Sequence, residues 1–496
     1  MKKLIFLVLT VGIHATALAQ FKLSGKIANI TKADTVYLNI PFVFGYYRDN
    51  NVAIAVDAKG NFNTMLNIKE QKFGTLRFEN RVLTLLLTPK KALVMHYNDA
   101  NKSLTCTGTA APENELLNKL DLTSAPFFLK DNTYAKLTLA QIQQDVVTPW
   151  KAIREKQLSL VQNSLLATPV KKLIRQEVEA NYILQLNYFA RGIMDRATRP
   201  RIDSFVLATY DDVMLTPEVF PTGPIYADYA NSCISYQETK IFSALPPEKR
   251  KDSSTVLPLY NITIDSGNRV AKLKGKSYID WMVVHKVFPK NIAERWLAQS
   301  ISNRLRTKDL AYATPLINEM KLYYPTSTYL PPLNKKLKNL ETTLQLNMAK
   351  KDIMVADGYK ELTSIYPLIN KLKGKVVYLD VWGTWCGPCK DEIPFNAALK
   401  SHFAGKDVAY VYLDMDDDMR DADWRQFIQV NGMSGLHLRK SRKEMETFWD
   451  ELMPKGAGER YYPMYFIFDK DGKLVKANAK RPSDKLDLYS QIQQYL

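Results

Sequence analysis

The chain has 496 residues, 46% of them apolar and 24% charged, and a formal net charge of +17 at pH 7. This is the composition of an ordinary globular protein, with enough length for roughly three domains of about 150 residues each. The four cysteines are too few for a disulfide-stapled mini-protein, so the cores must come from apolar burial. Lysine and arginine are spread along the chain, which excludes a nucleic-acid-binding arm and indicates a solvated basic surface, with weak attraction to anionic membrane as the alternative.

The N-terminus has the pattern of a signal peptide. Two lysines precede the apolar run Leu4–Ile13, which is shorter than the roughly 20 residues that span a bilayer. The small residues Ala17 and Ala19 predict cleavage after Ala19, and a buried N-terminal strand is the alternative. We therefore expect residues 1–19 to be removed, and the mature protein to be exported, most simply to a bacterial periplasm, without a transmembrane segment.

The next two regions differ in their apolar periodicity. Residues 20–110 contain short segments rich in β-branched and aromatic residues, separated by turns, which predicts a small antiparallel all-β sandwich or barrel. Residues 111–350 change to a helical period, in which one face is predicted to carry Ile142, Val146, Trp150 and Ile153. An all-α region of paired helices is expected there, whose frequent aromatic residues are assigned to core packing, with a peptide-binding groove as the alternative.

Residues 351–496 alternate between strand and helix patterns. Apolar strands are predicted at 376–382 and 408–414, and a helix is predicted from the cysteines that lie between them to about Phe403. A hairpin is predicted around residues 470–472, which read Lys-Asp-Gly. Strands interleaved with helices in this way predict an α/β domain with a mixed sheet.

The segment VWGTWCGPCK at residues 381–390 carries the clearest chemistry. The helix should begin at Cys386, which places Cys389 one turn later on the same face, within reach of a disulfide. The positive end of the helix dipole stabilises a thiolate, so the pKa of Cys386 should lie below the roughly 8.5 of free cysteine. Cys386 is the predicted nucleophile and Cys389 the predicted resolving cysteine, while Pro388 suits the first helical turn.

Other uses of the cysteines are disfavoured. One Cys-x-x-Cys motif supplies two of the four ligands that a zinc site needs, and the five histidines are scattered. Covalent haem attachment needs a histidine where Lys390 stands, and so short a disulfide loop constrains the unfolded chain little. No metal or cofactor is therefore expected. Cys106 and Cys233 either pair or remain buried free thiols, and the second arrangement is favoured because they lie in different predicted domains.

The segment Thr384–Lys390 resembles the active-site motif of the thioredoxin superfamily. Residues 376–394, VVYLDVWGTWCGPCKDEIP, and 461–475, YYPMYFIFDKDGKLV, are similar to the TlpA/ResA-type thiol–disulfide oxidoreductases of bacterial cell envelopes. The resemblance implies a thioredoxin-like fold for the C-terminal domain. It also implies that Asp380 accepts a proton from the second cysteine, and burial in an apolar strand should raise the pKa of this carboxyl.

The same resemblance assigns roles around the dithiol. It implies that Pro463 is a cis-proline beside the cysteines, that Trp385 flanks them, and that Tyr462 and Pro388 contact the substrate. Many relatives have threonine after this proline, where this chain has Met464.

The dipeptide between the cysteines indicates the direction of electron flow. Reduction potentials in this class run from about −270 mV for thioredoxin to about −120 mV for DsbA, and Gly-Pro is the thioredoxin dipeptide. We therefore expect a reductase of protein disulfides that is kept reduced by an upstream thiol donor, with no nucleic-acid partner. The family implies cytochrome c maturation or repair of misoxidised proteins as roles. A disulfide oxidase or isomerase, or a binding protein with a regulatory dithiol, are the alternatives.

Overall fold

The computed structural model of the protein describes residues 20–28, 35–47, 50–78, 81–98, 100–195, 199–212, 223–453 and 459–496. The predicted signal peptide lies outside these ranges. Contacts divide the chain into two compact units, the first made of residues 1–264 and 282–299 and the second of residues 265–281 and 300–496. Within the described ranges, no helix combines the length and the apolar character needed to cross a membrane. The domain boundaries at residues 110 and 350 stay predictions.

The first unit begins with a β-rich region, as predicted. Its strands are β1 (Gln20–Ala28), β2 (Thr35–Asn39), β3 (Asn51–Ala55), β4 (Asn61–Asn67), β5 (Lys72–Phe78), β6 (Arg81–Leu87), β7 (Ala92–Asn98) and β8 (Ser103–Thr107). They form two four-stranded sheets, in the orders β4-β1-β7-β8 and β3-β2-β5-β6. Alternate side chains of both sheets, among them Phe21, Leu38 and Leu85, share one buried core.

One strand pair departs from the expected antiparallel arrangement. β1 runs parallel to β7, while its other neighbour, β4, is antiparallel. Strands that follow each other along the chain can pair through short hairpins, whereas parallel neighbours need a long connection. Here the connection between β1 and β7 contains five other strands, a long-range pairing that a strand-by-strand reading of the sequence does not reveal.

The part of the first unit that follows is mainly helical. Its elements are α1 (Ala111–Leu120), α2 (Leu139–Ile142), α3 (Thr148–Gln162), α4 (Thr168–Tyr188), α5 (Arg199–Asp212), α6 (Pro224–Ala244), α7 (Pro247–Lys251), and the short strands β9 (Val256–Leu257) and β10 (Ile262–Thr263). The predicted apolar face is buried at Ile142, Val146 and Trp150, but Ile153 is 39% exposed, so the buried face does not extend to it as predicted. The two remaining cysteines, Cys106 and Cys233, are free thiols, and burial raises their pKa values to about 11 and about 12.

Five further helices lead into the C-terminal region. They are α8 (Ile264–Lys274), α9 (Lys276–Val287), α10 (Lys290–Arg306), α11 (Leu310–Tyr323) and α12 (Leu330–Met348). The divisions between the units fall after the first residue of α8, within α9 and within α10. The central part of the chain is therefore helical, as the periodicity predicts.

The C-terminal region alternates strands and helices. Its elements are β11 (Ile353–Val355), α13 (Tyr366–Asn370), β12 (Val376–Trp382), α14 (Gly387–Glu392), α15 (Asn396–His402), β13 (Val408–Asp414), α16 (Asp421–Val430), β14 (Gly435–Arg439), α17 (Met445–Leu452), β15 (Met464–Phe468), β16 (Leu474–Lys476) and α18 (Leu486–Gln493). Its six strands form one mixed sheet in the order β11-β14-β13-β12-β15-β16, as predicted for an α/β domain.

Strand β12 positions the candidate site. It runs parallel to β13 and antiparallel to β15, and all seven of its residues are buried, which explains why six of them are apolar or aromatic. The strand ends at Trp382, and α14 begins five residues later at Gly387. The cysteine motif therefore occupies the turn between a rigid central strand and the start of a helix.

Candidate dithiol site

The two cysteines of the motif form a disulfide at the start of α14. Cys386 is the residue that caps the helix, and its sulfur accepts a hydrogen bond from the backbone N–H of Cys389 at 3.1 Å. The α-carbons are 5.3 Å apart, which suits a disulfide between residues one helical turn apart. The two side chains are 4% and 3% exposed, so exposure does not distinguish them. What distinguishes them is that Cys386 faces the free N–H groups of the helix start.

An aromatic rim lies beside the disulfide. The indole of Trp385 is 40% exposed and meets the ring of Tyr462 edge to face, with the ring centroids 5.3 Å apart. The guanidinium carbon of Arg442 lies 4.6 Å from the centroid of the Trp385 ring. The peptide bond between Tyr462 and Pro463 is cis, and Pro388 is exposed in the first turn of α14. The structure thus brings Trp385 and Tyr462 together next to Cys386.

Asp380 lies in β12, on the strand that leads to the motif. It is buried, and burial raises the pKa of its carboxyl well above the ordinary value, an effect that repulsion from Glu392 strengthens and attraction from Lys400 weakens. Its Oδ1 is buried without a hydrogen-bond partner in the described part of the chain. No hydrogen bond between described residues joins Asp380 to either sulfur, so its role as proton acceptor stays a prediction.

Two charged residues near Asp380 were not identified from the sequence. The buried carboxylate of Glu392 accepts hydrogen bonds at 2.9 Å from both the backbone N–H and the hydroxyl of Ser483. Burial lowers the pKa of Lys400 to about 8, and its ammonium group lies 5.0 Å from the ring centroid of Tyr412. Glu392 could have been found by its spacing, because it follows Cys389 by three residues and therefore shares its helix face. Lys400 carries no such signal.

A buried carboxylate holds the loop that precedes the cysteines. Asp416 accepts a hydrogen bond at 3.2 Å from the backbone N–H of Thr384 and a second one from its hydroxyl. Burial raises the pKa of Asp416, and these two bonds oppose that rise by stabilising the ionised form. The turn that carries Trp385 and Cys386 is therefore fixed to the end of strand β13.

The comparisons with known proteins concern the same part of the chain. A family model described as Redoxin matches residues 367–492. The thiol-disulfide oxidoreductase ResA of Bacillus thuringiensis is 34% identical over 109 residues, which is 22% of this chain and 57% of that protein. ResA of Bacillus cereus is 30% identical over 125 residues, or 25% of this chain and 66% of that protein. The solved thioredoxin domain of a thiol-disulfide oxidoreductase from Bacteroides vulgatus is 22% identical, with a TM-score of 0.22, covering 25% of this chain and 82% of its own.

The mixed sheet, the dithiol at a helix start and the family match define the C-terminal region as a domain of the thioredoxin superfamily. Within that superfamily the domain is of the TlpA/ResA type, which confirms the family predicted from the motif. The chain spans between about half and two thirds of the length of these ResA relatives, and most of its own residues lie outside the match.

Proposed function

We propose that this protein is an exported thiol–disulfide oxidoreductase that reduces protein disulfides. The observation that carries the proposal is the pair Cys386 and Cys389, held at disulfide distance where a helix begins. The exposed indole of Trp385, next to the Tyr462–Pro463 bond, supports it, because a protein substrate needs an accessible surface beside the reactive sulfur.

The proposed reaction is a two-step thiol–disulfide exchange. The thiolate of Cys386 attacks one sulfur of a substrate disulfide, forms a mixed disulfide, and releases the other substrate sulfur, which takes up a proton. Cys389 then loses its proton and attacks the sulfur of Cys386. The Cys386–Cys389 bond forms, the mixed disulfide breaks, and the second substrate thiol leaves. Two electrons have moved from the dithiol to the substrate, and a dithiol donor must return them.

Asp380 is proposed to accept the proton of Cys389. Burial and the carboxylate of Glu392 both favour the protonated form of Asp380, whereas Lys400 favours the ionised form. A buried carboxylate with a raised pKa is a stronger base than an exposed one, which suits proton transfer near neutral pH. Pro388 and Tyr462 are proposed to contact the substrate peptide.

We also propose a direction of electron flow, a compartment for the protein and a role for its upstream regions. The Gly-Pro dipeptide supports a reductase, and the pattern of residues 1–19 supports export to a periplasm, where an upstream thiol donor keeps the dithiol reduced. We assign partner selection to the upstream regions, namely a β sandwich over residues 20–110 and the helices that follow. Cytochrome c maturation and repair of misoxidised proteins are the candidate roles.

A trapping experiment in cells tests the function. The full-length Cys389→Ser variant should accumulate a mixed disulfide between Cys386 and its substrate, because the resolving sulfur is gone. The matched control, Cys386→Ser/Cys389→Ser, should trap nothing. A trapped protein that is reduced in wild-type cells supports a reductase, and one that is oxidised there indicates an oxidase. If no adduct forms while the biological role survives Cys386→Ser, the protein is instead a binding protein with a regulatory dithiol.

A further inference from the structure

A buried ion pair joins the active-site helix to the helical segment before it. The ammonium group of Lys390, the residue after Cys389, lies 2.7 Å from Oδ2 of Asp309, and the side chains are only 6% and 4% exposed. The two residues are 81 positions apart in sequence but belong to the same compact unit. Lysine at this position would normally be hydrated, so its burial against a carboxylate requires an explanation.

Both partners are held by further contacts. Asp309 caps α11, where its Oδ1 accepts a hydrogen bond from the backbone N–H of Tyr312 at 3.4 Å. On the other side, the ammonium group of Lys390 lies 5.2 Å from the ring centroid of Phe427. The carboxylate is therefore fixed by the helix that it begins, and the ammonium group is fixed against the core of the thioredoxin-like domain.

The surrounding helices are anchored to the same domain. The side-chain amide of Asn347 in α12 donates a hydrogen bond to the backbone carbonyl of Gln429 at 2.8 Å. Arg420 donates to the carbonyl of Lys272 at 2.7 Å, and its guanidinium carbon lies 4.2 Å from the ring centroid of Tyr312. The ion pair between Asp309 and Lys390 is thus one of several contacts that join these helices to the thioredoxin-like domain within the second unit.

We propose that Asp309 is a positioning residue for the dithiol, which neutralises and fixes Lys390 so that its charge does not stabilise the thiolate of Cys386 and the dithiol stays strongly reducing. This inference rests on the proposed function, because it concerns the potential of the same dithiol. It assigns the upstream helical segment a part in setting the redox chemistry.

The charges around the thiolate of Cys386 affect its stability. A positive group near a thiolate favours the ionised, reduced form, and a stabilised reduced form makes a dithiol a stronger oxidant. The charged groups that act on Lys390 are the carboxylates of Asp309 and Asp416 and the guanidinium of Arg304. When Asp309 is neutral, Asp416 still favours the charged lysine, and the positive potential at the start of α14 rises.

Charge-removing variants of the full chain test this inference. Asp309→Asn keeps a good helix-capping residue while it removes the charge. Its dithiol should be reduced more readily in glutathione buffers, with an equilibrium constant changed by about threefold to tenfold, or ~15 to 30 mV for a two-electron couple. Lys390→Gln should shift the constant in the opposite direction, and the double variant should return close to wild type. Asp265→Asn, which breaks an exposed pair with Arg269 in the same unit, is the control and should leave the potential unchanged.

The outcomes separate the inference from the proposed function. If the wild-type dithiol equilibrates with glutathione but neither single variant shifts the constant, or both shift it in one direction, the positioning role is wrong. The proposed function then stands. If the wild-type disulfide does not exchange with any thiol, the proposed function itself fails. Should Asp309→Asn fail to fold, Lys390→Gln and the neutral double variant still decide the sign of the effect.

Discussion

The backbone of Gly383 packs directly against the indole of Trp385. A β-carbon added at Gly383 would lie 2.6 Å from Nε1 of that indole, a distance that real β-carbons essentially never show. The absence of a side chain at position 383 therefore permits the orientation of the exposed ring beside Cys386.

Gly383→Ala should weaken reduction of protein disulfides. The added methyl group displaces Trp385 from Tyr462, and misplacement of a positioning group by about 1 Å can cost up to about 100-fold in rate. We expect kcat/KM with a protein disulfide to fall by about tenfold or more, while exchange with a small disulfide falls less. Stopped-flow tryptophan fluorescence on both substrates measures the difference.

The matched control is Gly192→Ala. A β-carbon at Gly192 has no neighbouring atom within 4 Å, so the variant should behave as wild type with both substrates. Equal losses with protein and small disulfides in Gly383→Ala would contradict a docking role for the Trp385 ring.

Asp380→Asn should stabilise the protein and slow its reaction. In wild type the pKa of this buried carboxyl is raised, so the folded state holds a proton that the unfolded state releases above about pH 4. The contribution of the Asp380 carboxyl to the free energy of unfolding is therefore complete below the pKa that it has in the unfolded state. This contribution is lost as the pH rises towards the pKa of the folded state, by up to about 1.4 kcal/mol per pH unit. The asparagine variant lacks this loss, so its advantage should grow from pH 5 to pH 7, while disulfide reduction slows by about 100-fold.

Guanidinium denaturation of the oxidised proteins at pH 5 and pH 7 measures the difference in the free energy of unfolding between wild type and Asp380→Asn. Asp57→Asn is the control, because hydrogen bonds from Asn61 lower the pKa of this exposed carboxyl and its removal should bring no gain as pH rises. If wild type and Asp380→Asn lose stability in parallel between pH 5 and pH 7, Asp380 does not carry a raised pKa in solution.

Glu177→Ala should destabilise the first unit. The buried carboxylate of Glu177 accepts hydrogen bonds from the backbone N–H groups of Gly223, Ile225 and Tyr226 at the start of α6. Buried donors left without a partner cost about 1–3 kcal/mol each, so the free energy of unfolding should fall by about 3 kcal/mol or more. The exposed Glu155, which pairs with Arg154, is the control, and Glu155→Ala should cost less than about 1 kcal/mol. If urea denaturation shows equal losses in the free energy of unfolding for Glu177→Ala and Glu155→Ala, Glu177 does not cap the start of α6.

The sequence predicts correctly those elements whose structure depends on local patterns. Strands β12 and β13 have the predicted bounds, because each is a mainly apolar run that ends at a clear change of pattern. Strand β14 was missed, because its buried residues include His437 and Arg439, which interrupt the apolar pattern and are hydrogen-bonded to the backbone carbonyls of Met433 and Asp416.

The candidate site shows the same difference between features set by local sequence and features set by long-range packing. The disulfide and the position of Cys386 at the start of α14 follow from residues three apart in one motif. The pair between Lys390 and Asp309 joins residues of separate predicted domains, and no local pattern connects them. The parallel pairing of β1 with β7 was hidden for the same reason, since only long-range packing decides it.

The most direct test of the account is the acidity of the Cys386 thiol. The reduced protein is alkylated with iodoacetamide across a range of pH, and mass spectrometry follows Cys386 and Cys389 separately. We predict that Cys386 reacts first, with an apparent pKa at least about one unit below the roughly 8.5 of free cysteine. An apparent pKa of 8.5 or higher, or faster reaction at Cys389, would contradict the claim that the start of α14 activates Cys386.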